Sequence, residues 1–308
     1  MTDGYRALHE SAAWLALDTR GRFIARGRDR VRYLHNVSSN DVKKLISGAG
    51  CYAFLLTAQG RIQADLHLFR FDDYFLIDTE ADLREKAPGL ILRYKVADQV
   101  ELEDVTGKTA SVAVEGPGAA AVLTACGAPL PETDFAHVAW GDTTVARVSL
   151  TGQPGYRLYG PADQRARWIS ALEAAGARPA TGEEARLVRI ENGKPRYGDD
   201  IRETSLPQET RQMHGVSFSK GCYLGQEIVE RIRAQGRVNR KLVRMEVETS
   251  EPLASGAKLT AQGAEAGEVT SSVFSPRAGK VIALAYVRSQ FADPGTGLEA
   301  GQVAAVVA

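Results

Sequence analysis

The sequence predicts an α+β body followed by a small β-barrel or sandwich. Up to about residue 236, helical periodicities are mixed with strand-like runs that turn back on one another. From Lys241 onward, short strand-like runs follow at regular spacing, separated by Gly, Pro and Ser. This change of pattern indicates a domain boundary near residues 234–240. The 308 residues are enough for two or three units, each with its own core.

Short helices and antiparallel strands are predicted for the beginning of the body. The apolar residues of DRVRYLHNV share one helical face, and Asp29 stands where an N-cap is expected. A second short helix is predicted over 40–45. The runs CYAFLLT and RIQADLHLF are typical of strands, and a hairpin turn at 58–60 joins them; YFLID follows as a further strand.

The rest of the body continues the mixture. Residues 79–94 are predicted to be helical, with a Pro-Gly pair weakening the middle, and VELED, SVAVEG and TTVARVSL are further strands. Pro117 predicts the first turn of a helix that ends at Ala125. An amphipathic helix is predicted over 164–175, and a capping box at 181–184 introduces the helix EARLVRI.

Composition disfavours several classes of protein. The 38 basic and 38 acidic residues cancel, which is not typical of a nucleic-acid binder. No run approaches the roughly 20 apolar residues of a membrane span, and the N-terminus lacks the pattern of a secretory signal, so we expect a cytoplasmic protein without membrane contact. Three widely spaced cysteines argue against a disulfide framework, and the five histidines do not pair at metal-ligand spacing.

Arginines are concentrated in two short stretches. Guanidinium groups bind carboxylates and phosphates through two parallel hydrogen bonds, so such clusters predict an anionic ligand; a solvated basic face is the alternative. The first cluster holds Arg20, Arg22, Arg26, Arg28, Arg30 and Arg32, and the second holds Arg231, Arg233, Arg237, Arg240 and Arg244.

The segment KGCYLGQE, residues 220–227, brings a thiol and an ammonium group close together in sequence. Lys220 stands two residues before Cys222, and a helix is predicted to begin near Gly225. Positive charge and a helix N-terminus both favour a thiolate, so we expect Cys222 to be a reactive or ligating sulfur. An inert, buried thiol is the alternative.

Glu191 ends the capped helix, where Asn192 and Gly193 turn the chain. A carboxylate buried at this position needs hydrogen-bond donors. The pterin ring offers two adjacent N–H donors that match two carboxylate oxygens. A solvated glutamate at a helix end is the alternative.

Four blocks of the sequence resemble the YgfZ-type KGCYxGQE folate-binding proteins, which are relatives of the glycine-cleavage aminomethyltransferases. KGCYLGQE matches the signature of this group. The other three blocks are similar to an N-terminal, a middle and a C-terminal block of the superfamily: RDRVRYLHNVSSNDV with GCYAFLLTAQGRIQADL, then RIENGKPRYGDDI, then GEVTSSVFSPRAGKVIALAYV.

The resemblance implies a three-lobed fold around a central cavity that binds tetrahydrofolate. Residues 1–236 would form the folate-binding α+β body and residues 237–308 the C-terminal β-barrel. The body would consist of two interleaved subdomains, one made of roughly 20–105 with 181–236 and the other of 106–180.

The resemblance also implies roles for individual residues. Glu191 matches the carboxylate that holds the pterin, and Asp65 matches the aspartate that lies beside the folate nitrogens and assists one-carbon transfer. Arg231 matches an arginine that is a candidate for the glutamyl carboxylates. Tyr197, in the RYGDD block, is a further candidate folate contact.

One departure from the aminomethyltransferases bears on function. Those enzymes resemble K-G-D-F-x-G-K in the signature segment, whereas here Cys222 replaces the acid and Gln226 replaces the lysine. The resemblance therefore implies a folate-binding protein that supports iron–sulfur cluster assembly or repair, with Cys222, Lys220 and Asp65 as the functional groups. Its partners would be iron–sulfur client enzymes or cluster-assembly proteins. Two alternatives remain: a folate-dependent aminomethyltransferase, and a scaffold whose cavity has lost its ligand.

Overall fold

The computed structural model describes residues 1–308. The α-helices are α1 Asp3–Glu10, α2 Arg30–Val37, α3 Ala87–Leu92, α4 Ala119–Ala125, α5 Arg165–Ala174, α6 Gly182–Glu191, α7 Pro207–Thr210 and α8 Gln226–Gln235. The strands are β1 Ala13–Ala16, β2 Gly21–Arg26, β3 Gly50–Leu56, β4 Ile62–Arg70, β5 Phe75–Thr79, β6 Glu101–Asp104, β7 Thr109–Glu115, β8 His137–Trp140, β9 Thr143–Ala146, β10 Gly155–Pro161, β11 Arg178–Pro179, β12 Arg240–Val247, β13 Lys258–Ala261, β14 Ala264–Ser275, β15 Lys280–Arg288, β16 Gly297–Ala300 and β17 Val303–Val307.

The first sheet is antiparallel and has the strand order β3-β4-β5-β2-β6. Leu34 of α2, Ile91 of α3 and Val229 of α8 are buried in one apolar cluster with Phe54 and Leu66 of the sheet. Burial of each such side chain contributes about 1.5–3 kcal/mol, so these helices are held mainly by their packing on the sheet.

The second sheet has the order β11-β1-β7-β10-β9-β8 and is antiparallel except where β1 runs beside β11. Helices α4 and α5 bury Leu123 and Trp168 in its larger apolar cluster, whereas α1 and α6 share a smaller cluster with β1. The two sheets meet through a cluster that joins Phe69 and Leu76 to Val148 and Tyr159.

The two sheets are interleaved along the chain, and α6 is the segment of the predicted subdomains that lies elsewhere. Helix α1 and strand β1 precede the first sheet in the chain, yet they belong to the second. Helix α6 packs against α1 and against β14 and β15, so it joins the second sheet to the barrel and does not lie with residues 20–105.

Strands β12 to β17 form a closed barrel in the order β12-β15-β14-β13-β16-β17. The sequence pattern did not distinguish a barrel from a sandwich. The structure shows a closed barrel, which leaves no free sheet edge. The barrel interior is apolar, with Val243, Met245, Leu259, Val269 and Val287 in one buried cluster. Strand β16 was not predicted.

Several local predictions are confirmed and others are revised. Thr181 Oγ1 accepts the N–H of Glu184 at 3.2 Å and Glu184 Oε2 accepts the N–H of Thr181 at 2.6 Å, which is the predicted capping box. Asp29 occupies the N-cap of α2, but its carboxylate accepts the N–H of Gln99 at 2.8 Å instead of capping the helix. The helix predicted over 40–45 is only a 3-10 turn, Val42–Lys44.

Two further revisions concern the helices that were predicted around Pro88 and Pro117. Pro88 lies in the first turn of α3, where its missing N–H is not needed, so it helps to begin this helix and does not interrupt a longer one. Pro117 lies before α4, which begins at Ala119 after Gly118. No helix of the chain is long and apolar enough to cross a membrane.

Candidate functional site

A cavity of about 570 Å³ lies where the two sheets and the segment after α6 meet. Strands β3 and β4 contribute Tyr52, Asp65 and His67. The connection between β9 and β10 and the start of β10 contribute residues 147–150 and 152–157. Residues 194–196, after α6, complete the wall. The volume suits a ligand of the size of a small cofactor.

Asp65 is the carboxylate of β4 that faces this cavity, and it is only 8% exposed. Tyr52 Oη donates to Asp65 Oδ2 at 2.8 Å, whereas Oδ1 is buried without a partner. Burial, followed by the negative charge of Glu80, raises the pKa of Asp65 to about 6, although the bond from Tyr52 acts in the opposite direction. Asp65 therefore has a free acceptor oxygen and can gain or lose a proton close to neutral pH.

Aromatic rings form one wall of the cavity. The His214 ring stacks on Tyr52 at 5.2 Å and on Phe135 at 5.9 Å, and His67 lies 5.3 Å from Tyr52, all between ring centroids. Burial lowers the pKa of His67 to about 4 and also lowers the pKa of His214, so both imidazoles are neutral at neutral pH. A neutral aromatic wall of this kind suits the face of a flat ring.

A network of buried ion pairs lies next to the cavity. Asp78 of β5 accepts from Arg20 at 2.6 Å and from Arg157 at 2.7 Å, and Glu80 accepts from Arg20 and, at 3.0 Å, from Arg196. Burial alone would raise the pKa of both acids, but the guanidinium groups lower it, so both are ionised. Asp78 Oδ2 is also unpartnered, but Asp78 does not line the cavity.

The sequence analysis did not predict this network as part of a site. It did single out Arg20, but only as a member of a basic cluster, and the cluster is divided in the structure. Arg20 and Arg22 are buried, whereas Arg26, Arg28 and Arg32 are exposed, and no arginine of this cluster lines the cavity. The available signal was Asp78 itself, a charged residue within the apolar run YFLID, since charges are rarely buried unless they are paired.

Glu191, predicted to hold the pterin, lies outside the lining of the cavity. Tyr5 Oη donates to Glu191 Oε1 at 2.7 Å and His9 Nε2 lies 2.7 Å from Oε2. Burial alone would raise the pKa of Glu191, but hydrogen bonds from His9, Ser275 and Tyr5 lower it. The donors that this carboxylate needs are therefore supplied by α1, a helix that the sequence analysis did not predict.

Tyr197 is buried beside the cavity, not in its lining. Its hydroxyl donates to the carbonyl of Gln63 at 2.7 Å, two residues before Asp65 on β4. This bond fixes the segment after α6 to the strand that carries Asp65. Tyr197 thus supports the position of Asp65, and its role as a folate contact stays a prediction.

The KGCYLGQE segment lies on the outer side of the first sheet. The Lys220 ammonium donates to the carbonyls of His35 and Ser38 at the end of α2 and lies 4.7 Å from the centre of the Tyr223 ring. Burial lowers the pKa of Lys220 to about 8. Cys222 is exposed and does not line the cavity. The Lys220 ammonium is thus engaged with backbone carbonyls, and the expectation that its charge acts on Cys222 stays a prediction.

The second glycine of this segment, Gly225, occupies a position that a residue with a side chain could not take. Gly225 is the N-cap of α8 and has a φ of 82°, in the left-handed region. Its α-carbon lies against the carbonyl of Thr57 and against Gly60 in the β3–β4 hairpin, where a side chain does not fit. The segment therefore docks α8 onto the hairpin.

Arg231, predicted to bind glutamyl carboxylates, is exposed on α8 and lies outside the cavity. Two other arginines of the second cluster, Arg233 and Arg237, line a separate groove of about 890 Å³ beside the barrel, together with Lys241. The second arginine cluster therefore does not reach the space around Asp65.

Comparison with known proteins gives matches along almost the whole chain. Residues 1–220 match the GCVT N-terminal domain and residues 240–307 match the glycine cleavage T-protein C-terminal barrel domain. An aminomethyltransferase of Caldanaerobacter subterraneus is 29% identical, covering 96% of this chain and 82% of that protein. An aminomethyltransferase of Rubrobacter xylanophilus is 31% identical, covering 92% of this chain and 79% of that protein.

A solved structure confirms the predicted fold class. The glycine cleavage system aminomethyltransferase T from Bartonella henselae superposes with a TM-score of 0.89 at 21% identity, covering 99% of this chain and 87% of that one. At this level of identity the similarity shows the fold, which is α+β with a C-terminal barrel.

These relatives make the expectation of an iron–sulfur assembly role wrong. The relatives that match over more than nine tenths of this chain are named aminomethyltransferases, which corresponds to the alternative function in the sequence analysis. The expectation of a maintenance factor, with iron–sulfur clients as partners, rested on Cys222 and Lys220. The structure keeps both outside the cavity that Asp65 faces.

Proposed function

We propose, since this chain belongs to the glycine cleavage T-protein family, that it is a folate-dependent aminomethyltransferase. The one-carbon unit would arrive as an aminomethyl group on a lipoyl carrier protein and leave on tetrahydrofolate. The KGCYLGQE segment supports a finer placement among the KGCYxGQE proteins of the family, and that placement rests on the segment alone.

The observation that carries the proposal is the unpartnered Oδ1 of Asp65 in the wall of the cavity. A buried acceptor without a donor costs about 1–3 kcal/mol, so an N–H group of a ligand gains correspondingly by bonding there. Tyr52 and His214 beside it supply the aromatic surface for a pteridine ring. Acceptor and aromatic surface together fit tetrahydrofolate.

The chemistry requires a group that handles protons beside the reacting nitrogen. Tetrahydrofolate, when bound, would supply two amine nitrogens that bond to the aminomethyl carbon, as ammonia leaves this carbon and its C–S bond breaks to return the thiol of the carrier. The first nitrogen to bond gives up a proton. Asp65 accepts the proton of that nitrogen at Oδ1, and its pKa of about 6 allows proton exchange near neutral pH. Tyr52 holds Oδ2, so that Oδ1 keeps one orientation.

The neighbouring charges help to keep the pKa of Asp65 close to neutral pH. Glu80 raises the pKa of Asp65, while Arg20 and Arg196 hold Glu80 itself ionised. The aromatic wall excludes water from the carboxylate and strengthens its interaction with a ligand. Asp65 is therefore the catalytic residue of the proposal.

The test is tetrahydrofolate-dependent release of ammonia from an aminomethylated lipoyl carrier protein. Asp65→Asn, which removes the base but keeps the shape, should reduce turnover by about 10²- to 10⁴-fold. Asp142→Asn, at an exposed turn between β8 and β9, is the matched control and should turn over like the wild type. Cys222→Ala should also remain active, because the thiol lies outside the cavity.

Two results would contradict the proposal. The first is full turnover by Asp65→Asn. The second is a wild-type protein that binds tetrahydrofolate, measured by calorimetry, but releases no ammonia from the carrier; that result would indicate a binding protein without the transferase reaction.

A further inference from the structure

The cavity is lined by basic side chains, and all but one of them are paired with acids. Arg147 lies 3.1 Å from Asp134, and Arg157 lies 2.7 Å from Asp78. Arg189 pairs with Asp199 and Asp200, and Arg196 pairs with Glu80 and Asp82. The remaining cation is Lys194.

Lys194 has a fixed backbone and an unengaged side chain. Its N–H donates to the carbonyl of Arg189 at 2.8 Å, and its own carbonyl accepts from the Arg189 guanidinium at 3.1 Å. No carboxylate lies within the 4.0 Å of an ion pair, and the ammonium makes no hydrogen bond to the protein, so it faces the cavity as a free donor.

The acid that acts most strongly on Lys194 is not available to it. Glu115 accepts hydrogen bonds from the N–H of Leu150 and from both the N–H and the hydroxyl of Thr151, and the hydroxyl of Ser149 lies 3.2 Å away. Burial, opposed by Glu115 and aided by the positive charge of Arg157, lowers the pKa of Lys194. A buried ammonium group that no acid contacts directly is a site for an anion.

We propose that Lys194 binds a carboxylate of the glutamyl part of the folate, as a positioning and specificity residue. The inference rests on the proposed function and extends it. Asp65 and the aromatic wall take the ring, and Lys194 takes the acidic tail in the same cavity. This replaces the assignment to Arg231, which is exposed on α8 and lies outside the cavity.

The test compares two ligands that differ only in the tail. Tetrahydropteroate has the ring system and the aminobenzoate but no glutamate. Lys194→Met, which keeps the length and removes the charge, should weaken tetrahydrofolate binding by about 10- to 100-fold, the range for loss of a charge-assisted hydrogen bond. The affinity for tetrahydropteroate, measured by calorimetry without oxygen, should stay within about twofold.

Two further variants serve as controls. Lys194→Arg keeps the charge and should recover most of the discrimination between the two ligands. Arg231→Met should change neither affinity, because that side chain lies on the outside of α8. The melting temperature of each unliganded variant reports on folding separately.

Each outcome decides the question. An unchanged affinity of Lys194→Met for tetrahydrofolate would overturn the inference, and so would an equal loss for both ligands, which would indicate a contact with the ring or a change in structure. A loss of tetrahydrofolate affinity in Arg231→Met alone would indicate that the tail binds at α8. If the wild-type protein binds neither ligand, the proposed function fails, and that result is distinct from failure of the Lys194 assignment.

Discussion

Asp65→Asn should raise the stability of the protein most at neutral pH and least in acid. Burial and the charge of Glu80 raise the pKa of Asp65 from its ordinary value of 3.8 to about 6. Between these pH values the folded protein still holds a proton that the unfolded chain has released. The stability associated with this proton is fully present below pH 3.8 and is lost as the pH rises through about 6.

The size of the effect follows from the two pKa values. A difference of one unit between the folded and the unfolded pKa corresponds to about 1.4 kcal/mol. The difference for Asp65 therefore corresponds to about 3 kcal/mol in total. The unfolded chain is already partly ionised at pH 4. The free energy of unfolding of Asp65→Asn, minus that of the wild type, should therefore increase by about 2–3 kcal/mol between about pH 4 and pH 7.

Urea unfolding followed by tryptophan fluorescence measures this difference directly. The change with pH is more informative than its value at one pH, because any effect of the amide on packing is the same at every pH. Asp142→Asn is again the control, because that side chain is exposed at a turn and lies outside the cavity. A difference for Asp65→Asn that is flat, or that decreases as the pH rises, would refute the account of Asp65 as a destabilised carboxylate.

Two other variants test the surroundings of the site. Lys220→Met should lower the free energy of unfolding by about 1–3 kcal/mol, because the carbonyls of His35 and Ser38 lose their buried donor; urea unfolding without loss of stability would contradict this role. His214→Ala should weaken tetrahydrofolate binding by about 2- to 10-fold in calorimetry, whereas His214→Phe should bind like the wild type, because the ring acts through stacking. Equal loss in both His214 variants would indicate a hydrogen bond from the imidazole instead.

Elements that depend on a few neighbouring residues could be predicted from the sequence. The capping box at Thr181 and Glu184 spans three residues, and the hairpin between β3 and β4 depends on a short turn. The C-terminal strands other than β16 also follow from local strand-like runs at regular spacing. Helix α1 was missed because DGYRALHE is a short segment, and what stabilises it is packing against α6, 180 residues further along the chain, not its own pattern.

The partners of the site residues could not be predicted, because they are distant in the sequence. Resemblance identified Asp65, which does face the cavity, but the contacts of Asp78 with Arg20 and Arg157 join residues 58 and 79 positions apart. Glu191 meets Tyr5 across 186 positions. No local pattern encodes such pairings.

Sequence proximity was also misleading in the KGCYLGQE segment. Lys220 and Cys222 are two residues apart, which in an extended strand would place both side chains on one face. Gly221 lies between them with a φ of 89°, in the left-handed region, so the extended alternation does not hold. One side chain turns into the protein toward α2 and the other remains exposed.

The two unpaired charges of the cavity indicate what kind of ligand would satisfy both of them. Asp65 and Lys194 carry opposite charges in one cavity, and an ion pair between them would offset the cost of burying each charge. The fold keeps them on separate elements, β4 and the segment after α6, and each lacks a partner of opposite charge within 4.0 Å. A molecule with N–H donors at one end and a carboxylate at the other would satisfy both groups at once, whereas a ligand with only one of these ends leaves the other group uncompensated. Affinity should therefore depend on both ends of the ligand. A folate has both ends, whereas a simple pterin lacks the carboxylate.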